Sequence, residues 1–92
     1  MPAIVFGNRF KKDVDRMKKR GKDLRKLRDL LTTLESGKPI DPVCRPHKLS
    51  GEFSGMIDCH LEPDWIVIFE DASKSEGCVV MVRTGTHSDL FK

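Results

Sequence analysis

Three histidines are the side chains of this protein best suited to chemistry near neutral pH, because imidazole can take up or release a proton there. They are His47, His60 and His87, in the segments PHKLSG, DCHLEP and GTHSDLF. Asp58 stands two residues before His60, so on a strand the two side chains would share one face, roughly 6–7 Å apart. Arg83 could join that face from a later strand. Such groups can cleave a phosphodiester without a metal, and in RNA the 2′-hydroxyl can be the nucleophile.

Other interpretations of the same residues remain open. A histidine on a strand is often a hydrogen-bonded structural residue, and Asp64-Trp65 can be a turn carboxylate followed by a core indole. A metal site would need the set Cys44, His47, Cys59 and His60. Adjacent residues of a strand point to opposite faces, so Cys59 and His60 would converge poorly on one ion. We therefore expect no metal.

Two amphipathic helices are predicted in the first part of the chain. After a short apolar strand at 3–6, Asn8 can cap a helix, and Gly21 suits the left-handed residue that ends it. Asp23 can cap the second helix, which Gly37 and Pro39 would close. The apolar stripes have helical spacing: Phe6, Phe10, Val14 and Met17, then Leu24, Leu27, Leu30, Leu31 and Leu34. Helices joined by so short a turn form an antiparallel hairpin.

The chain after this hairpin is predicted to be a proline-rich loop over 38–46 followed by strands. In GMIDCHL, Ile57, Cys59 and Leu61 would lie on one face, and Met56, Asp58 and His60 on the other. A turn at EPD, the run WIVIF, the polar loop DASKSEG and the run CVVMVRT complete the pattern. The order β-α-α-β-β-β predicts one α+β domain over residues 1–92, with the helical hairpin on one face of a mostly antiparallel sheet.

Charge is distributed unevenly. Residues 1–30 hold eleven Lys or Arg and four Asp, a balance of 11 − 4 = +7, whereas residues 31–92 hold six and ten, a balance of 6 − 10 = −4. A concentrated basic surface suggests a polyanion such as nucleic acid, although a solvated helix face is an equally simple explanation. There is no membrane-length apolar run, no signal-peptide pattern and no disulfide framework among the three cysteines, so we expect a cytoplasmic protein without a membrane contact.

Four segments of the sequence together resemble a known family. NRFKKDVDRMKKRGKDLRKL, HKLSGEFSG, CHLEPDWIVIF and RTGTHSDLF are similar to the YafQ branch of the RelE-type toxins of bacterial toxin–antitoxin systems. The resemblance runs from Asn8 to Phe91 and implies a fold like that of the microbial ribonucleases. It also implies an endoribonuclease that enters the ribosomal A site and cleaves mRNA there without a cofactor. The implied partners are mRNA, the ribosome with its 16S rRNA, and a cognate antitoxin that neutralises the toxin.

The same resemblance assigns roles to individual residues. It implies an active site of His47, His60, Asp64 and His87, with Asp58 as candidate general base and His87 as candidate general acid. Arg83 would stabilise the phosphate, and Trp65 and Phe91 would contact a nucleotide or close the site. Positive charge for the RNA backbone would come from Lys48 and from the first helix, through Lys11, Lys12, Lys18, Lys19 and Arg20.

The sequence departs from the family pattern at one position. Ile57 stands where the family commonly has Arg, directly before the acidic residue. By alternation Ile57 faces away from Asp58. The absence of the family's Arg at this position would therefore remove a structural or rRNA contact, or would weaken the toxin. The alternative function is therefore a weakly active or inactive relative that binds an antitoxin or a nucleic acid.

Overall fold

The computed structural model describes residues 2–73 and 75–91. Strand β1, Ala3–Phe6, leads into helices α1, Asn8–Lys19, and α2, Leu24–Ser36. Strands β2, His47–Lys48, β3, Ile57–Glu62, β4, Trp65–Ala72, and β5, Cys78–Gly85, precede a short helix α3, His87–Leu90. Single 3-10 turns occupy Pro42–Cys44 and Gly51–Phe53. Lys74, in the polar loop predicted between the last two long strands, lies outside the described residues.

The helical hairpin forms where the sequence predicts it. Gly21 and Gly37 end the two helices with φ of 84° and 76°, and Asp23 caps α2 by accepting a hydrogen bond from the Arg25 backbone N–H at 3.0 Å. The prediction that Asn8 caps α1 is wrong by one residue. Gly7 is the N-cap, with an extended backbone and no side-chain hydrogen bond, and Asn8 is the first helical residue.

The sheet has the strand order β1-β5-β4-β3-β2. Strand β1 is parallel to β5, and every other neighbouring pair is antiparallel. The predicted α+β class, the helical hairpin and the mostly antiparallel sheet are confirmed, whereas the predicted order β-α-α-β-β-β lacks the short strand β2 and helix α3. The prediction that everything after the loop is strand is wrong for Gly51–Phe53 and for α3. A four-residue helix is too short to show helical periodicity, and its one sequence signal is the capping pair Thr86 and Asp89.

The two faces of the sheet have different environments. The helices cover a core that includes Cys59, Trp65, Val67 and Phe69, with Ile57 and Leu61 packed against it. The opposite face carries a smaller cluster of Ile66, Ile68 and Leu90, so it is only partly free. Alternation in β3 therefore separates Cys59 from Asp58 and His60 as predicted. Within the described residues, we find no helix with the length and apolarity to cross a membrane.

Candidate active site

His47, Asp58 and His60 meet on the sheet face opposite the helices. The short strand β2 pairs His47 directly with Asp58 of β3, and His60 follows two residues along the same strand. His47 Nδ1 lies 3.3 Å from Asp58 Oδ1, and the His47 and His60 ring centroids are 6.4 Å apart. One ligand atom of each residue lies within 4.8 Å of the other two. These three predicted site residues therefore form one cluster.

Asp64 and His87 form the second half of the site. Asp64 lies in the two-residue turn between β3 and β4, and its Oδ1 accepts from the His87 backbone N–H at 2.9 Å and contacts His87 Nδ1 at 2.7 Å. These contacts, the backbone hydrogen bond first, hold the pKa of Asp64 below its usual value. A carboxylate oxygen can only accept, so Nδ1 carries a proton in this contact and the second ring nitrogen, Nε2, is left for a substrate.

The three imidazoles form a continuous row. The His60 ring is 5.7 Å from the His87 ring and 6.4 Å from the His47 ring. The side chains of His47 and His87 are 60% and 56% exposed, whereas that of Asp58 is 10% exposed. The row therefore offers two accessible proton-transfer groups on either side of His60, above a buried carboxylate.

Two polar atoms at the base of this row lack hydrogen bonds among the described residues. They are Asp58 Oδ1 and His60 Nδ1, both buried. The 3.3 Å approach of His47 to Asp58 has an ion-pair distance but not the geometry of a hydrogen bond. Buried polar atoms are normally satisfied, so this part of the site is suited to a further group such as a water, a substrate hydroxyl or an ion.

A groove of about 510 Å³ runs past one end of the row, and His60 and His87 line it. Arg45, which the sequence analysis did not single out, lines the same groove. It is exposed and adopts a left-handed backbone conformation with φ of 49°, which is uncommon for a residue other than glycine. Its position makes it a candidate phosphate contact, and a lone arginine in a proline-rich loop gave no pattern by which to find it.

Phe91 lies beside the histidine row. Its ring is 6.3 Å from that of His87 and 5.8 Å from that of Phe53, in an edge-to-face arrangement, and the residue is 39% exposed. Lys48, next to His47, lines a different groove together with Ile57, as strand alternation requires. The structure thus brings Phe91 to the site and directs Lys48 away from the histidines.

The prediction that Trp65 contacts a nucleotide is wrong. Its side chain is fully buried in the core that the helices cover, and Nε1 donates a hydrogen bond to Thr84 Oγ1 at 2.9 Å. The interpretation of Asp64-Trp65 as a turn carboxylate followed by a core indole describes both residues, although Asp64 also contacts His87.

Two arginines that were predicted to contact RNA are paired with carboxylates of the protein itself. Arg83 Nε donates to Asp13 Oδ2 on α1 at 2.6 Å, and this side chain is 11% exposed, so its guanidinium is engaged within the protein. Ile68 of β4 pairs with both Arg83 and Asp58, and the contact of Arg83 with a phosphate stays a prediction. Arg20 Nη1 donates to Asp89 Oδ2 at 2.7 Å. The other four predicted polyanion contacts are exposed on α1, namely Lys11, Lys12, Lys18 and Lys19.

The cysteine-containing metal set does not form. Cys59 is fully buried on the face opposite His60, and burial raises the pKa of its thiol to about 12, whereas a metal ligand must be a thiolate. His47, Asp58 and His60 provide a different donor set, with two imidazoles and one carboxylate of the kind that bind Zn²⁺ or Cu²⁺.

Comparison with known proteins shows which chains this one resembles. Residues 3–92 match the family described as "Bacterial toxin of type II toxin-antitoxin system, YafQ". The mRNA interferase toxin YafQ of Escherichia coli K12 is 39% identical over 89 residues, which are 96% of this chain and 94% of the relative.

Two solved structures have the same fold. The toxin in the E. coli DinJ-YafQ complex superposes with a TM-score of 0.87 at 36% identity, over 100% of both chains. A metal-bound toxin from Helicobacter pylori superposes with a TM-score of 0.89 at 33% identity, over 99% of this chain and 100% of that one. The chain belongs to the YafQ family of bacterial toxins from type II toxin–antitoxin systems, as its motifs predicted.

Proposed function

We propose that this toxin, acting as one domain, is a ribosome-dependent endoribonuclease that cleaves mRNA by acid–base chemistry. The observation that carries the proposal is the row of His47, His60 and His87 with a carboxylate at each end. The E. coli relative is named an mRNA interferase toxin, which supports the same activity here.

In the proposed mechanism the two ends of the row have different tasks. The cluster of His47, Asp58 and His60 takes the proton from the 2′-hydroxyl, and the resulting oxygen attacks the neighbouring phosphorus. The bond to the 5′-oxygen breaks, and His87, protonated on both ring nitrogens at the start of the step, gives its Nε2 proton to that leaving oxygen while Asp64 holds Nδ1–H. The products are a 2′,3′-cyclic phosphate and a 5′-hydroxyl, so atoms and protons balance without a metal ion. Arg45 is positioned to stabilise the charged phosphate.

The basic face of α1 supports a ribosomal site of action. Lys11, Lys12, Lys18 and Lys19 are exposed on this helix and would contact phosphates of 16S rRNA when the toxin occupies the A site. Translation in a bacterium takes place in the cytoplasm, so the toxin would act there. The proposed antitoxin has an acidic segment that covers this basic face, and the solved DinJ-YafQ complex supports an antitoxin partner.

Induction of the toxin without its antitoxin tests this proposal. We expect wild type to arrest translation and to leave cuts within translated messages, and His87→Ala to do neither while still binding the antitoxin, which shows that it is folded. Cuts in the same messages when translation is blocked would contradict ribosome dependence. A healthy culture that makes abundant folded wild type would favour the alternative, a non-enzymatic binding module.

We further propose that Zn²⁺ or Cu²⁺ binds His47, Asp58 and His60 and inhibits the enzyme. Their ligand atoms already lie within 4.8 Å of one another, Asp58 Oδ1 and His60 Nδ1 lack hydrogen bonds among the described residues, and the H. pylori relative is described as metal-bound. A bound ion would hold the very groups that must accept a proton. Titration calorimetry with each metal should give one site that is lost in His47→Ala; equal binding by this variant would refute the assignment.

A further inference from the structure

The helix that carries His87 is too short to hold its own position. Helix α3 has four residues, His87–Leu90, and a single helical turn is not stable by itself. Its start is closed by a capping box, in which Thr86 Oγ1 accepts from the Asp89 backbone N–H at 3.2 Å and Asp89 Oδ2 accepts from the Thr86 backbone N–H at 2.9 Å. The capping box fixes the shape of α3 but not its place on the protein.

Asp89 also ties α3 to α1. Its two carboxylate oxygens accept from Arg20 Nη1 at 2.7 Å and Nη2 at 3.3 Å, a paired contact that is stronger and more directional than a single ion pair. Arg16 Nη2 lies 3.7 Å from Asp89 Oδ2. The Asp89 side chain is 15% exposed, so these contacts are partly sheltered from solvent. One carboxylate thus both caps α3 and anchors it.

Arg16, one of the two arginines that contact Asp89, is held to the sheet through Asp13. This residue is 4% exposed and accepts from Arg83 Nε at 2.6 Å, from Arg16 Nη2 at 3.1 Å and from the Thr84 backbone N–H at 3.2 Å. Arg16 therefore bridges the two aspartates. Space is tight at this junction, because a Cβ atom on Gly85 would lie 2.9 Å from the Asp89 side chain.

We infer that Asp89, clamped by Arg20 and Arg16, is a positioning residue that places the His87 imidazole for the reaction. It touches no substrate in this role. It ties α3 to α1, while Asp64 holds the His87 ring and backbone N–H from the β3–β4 turn and Leu90 packs on the sheet with Ile66 and Ile68. The inference rests on the proposed function for its effect on cleavage. It also assigns Arg20, predicted from the sequence as an RNA contact, an internal task.

The test compares Arg20→Ala and Asp89→Asn with Arg25→Ala. Arg25 is a matched control, because it also pairs with an aspartate, Asp23, through Nε and Nη2 but lies at the start of α2. Asparagine can still accept from Thr86, so Asp89→Asn keeps the cap and loses the charge. Two measurements are made on each intact protein, the single-turnover cleavage rate on programmed ribosomes and the imidazole NMR signals of the three histidines.

We expect the two test variants to lower the cleavage rate constant about ten- to a hundredfold, as small displacements of a catalytic group do. Binding to programmed ribosomes should change less than about threefold, because Asp89 is assigned no contact with the ribosome. The His87 signals should shift or broaden while those of His47 and His60 stay in place. Arg25→Ala should match wild type in both measurements, and Arg20→Lys should recover part of the rate.

Unchanged His87 signals in Arg20→Ala would overturn the inference, and so would equal effects in Arg25→Ala. The Arg20 side chain is 42% exposed, so this variant decides the question even if Asp89→Asn fails to fold. The NMR measurement needs no RNA. If wild type cleaves no message, the proposed function fails, while the His87 signals still test whether Asp89 sets the position of α3.

Discussion

His87 Nδ1 lies 2.7 Å from Asp64 Oδ1, although 23 positions separate the two residues in the chain. The same oxygen accepts from the His87 backbone N–H, so one carboxylate holds both the ring and the start of α3. This arrangement of a histidine and an orienting carboxylate leaves Nε2 directed away from the contact. The ring of the candidate general acid thus has a defined direction before any substrate binds, with a carboxylate placed to stabilise its positive charge.

Replacing Asp64 with Asn should lower the cleavage rate constant about tenfold or more, because Asn orients the ring less firmly and lacks the negative charge that stabilises a ring protonated on both nitrogens, the form that donates from Nε2. The pKa of Asp64 is held below 3.8, so wild type keeps the orienting charge throughout the neutral and mildly acidic range. Cleavage rates of the two proteins compared at pH 7 should show this loss, since Asp64 is fully charged there in wild type. A wild-type rate for Asp64→Asn would show that His87 needs no orienting charge.

The stability of the protein should depend on Asp89 in a pH-dependent way. The hydrogen bond from Arg20 holds the pKa of Asp89 well below its value of 3.8 in an unfolded chain. A carboxyl whose folded pKa is depressed contributes stability above the unfolded pKa and loses it as the pH falls through the folded pKa. Urea unfolding should show Asp89→Asn less stable than wild type at pH 7 and at pH 5, with a smaller difference at pH 3. A difference that grows on acidification would contradict this assignment.

Thr84→Val should destabilise the fold by about 1–3 kcal/mol, because it leaves the buried indole N–H of Trp65 without a partner. Thr84 Oγ1 accepts this hydrogen bond at 2.9 Å and donates to the Ile66 carbonyl at 2.8 Å. The loss can be measured by urea unfolding, with Trp65 fluorescence as the signal since it is the one tryptophan. Addition of an RNA oligonucleotide should leave the intensity and wavelength of this fluorescence unchanged, and strong quenching by the RNA itself would revive a nucleotide contact for Trp65.

Phe91→Ala should weaken RNA binding by about 1–3 kcal/mol if its ring stacks on a base. Phe6→Ala is the matched control, because Phe6 is 43% exposed and its ring stacks on Phe10 at 5.9 Å. Phe6 belongs to β1, at the sheet edge opposite β2, which carries His47. Dissociation constants for a short RNA, measured with His87→Ala as the background to prevent cleavage, distinguish the two. Equal losses in both variants would point to a general effect of removing an exposed ring.

Several features of this protein follow from the sequence without its three-dimensional structure. The helical stripes ending at Gly21 and Gly37 predicted the hairpin, and strand alternation predicted that Cys59 would face the core and Asp58 and His60 the other side. Side-chain direction in a regular element repeats with a fixed period. The family was identified from the motifs around His60 and His87, which are also patterns of neighbouring residues. Each of these inferences depends on residues close together in the chain.

Only the tertiary structure decided which distant residues meet. Arg83 reaches Asp13 across 70 positions, and Arg20 reaches Asp89 across 69. A shift of register between β4 and β5 at Ile68 and Phe69 is a local irregularity that spacing along the chain does not reveal. The environment of Trp65 was also decided by the tertiary structure. The two-residue turn before it directs Asp64 toward His87, while the Trp65 side chain enters the core. Spacing along the chain gives the face of a strand, but a long side chain is directed by the partner that the packed elements bring within reach.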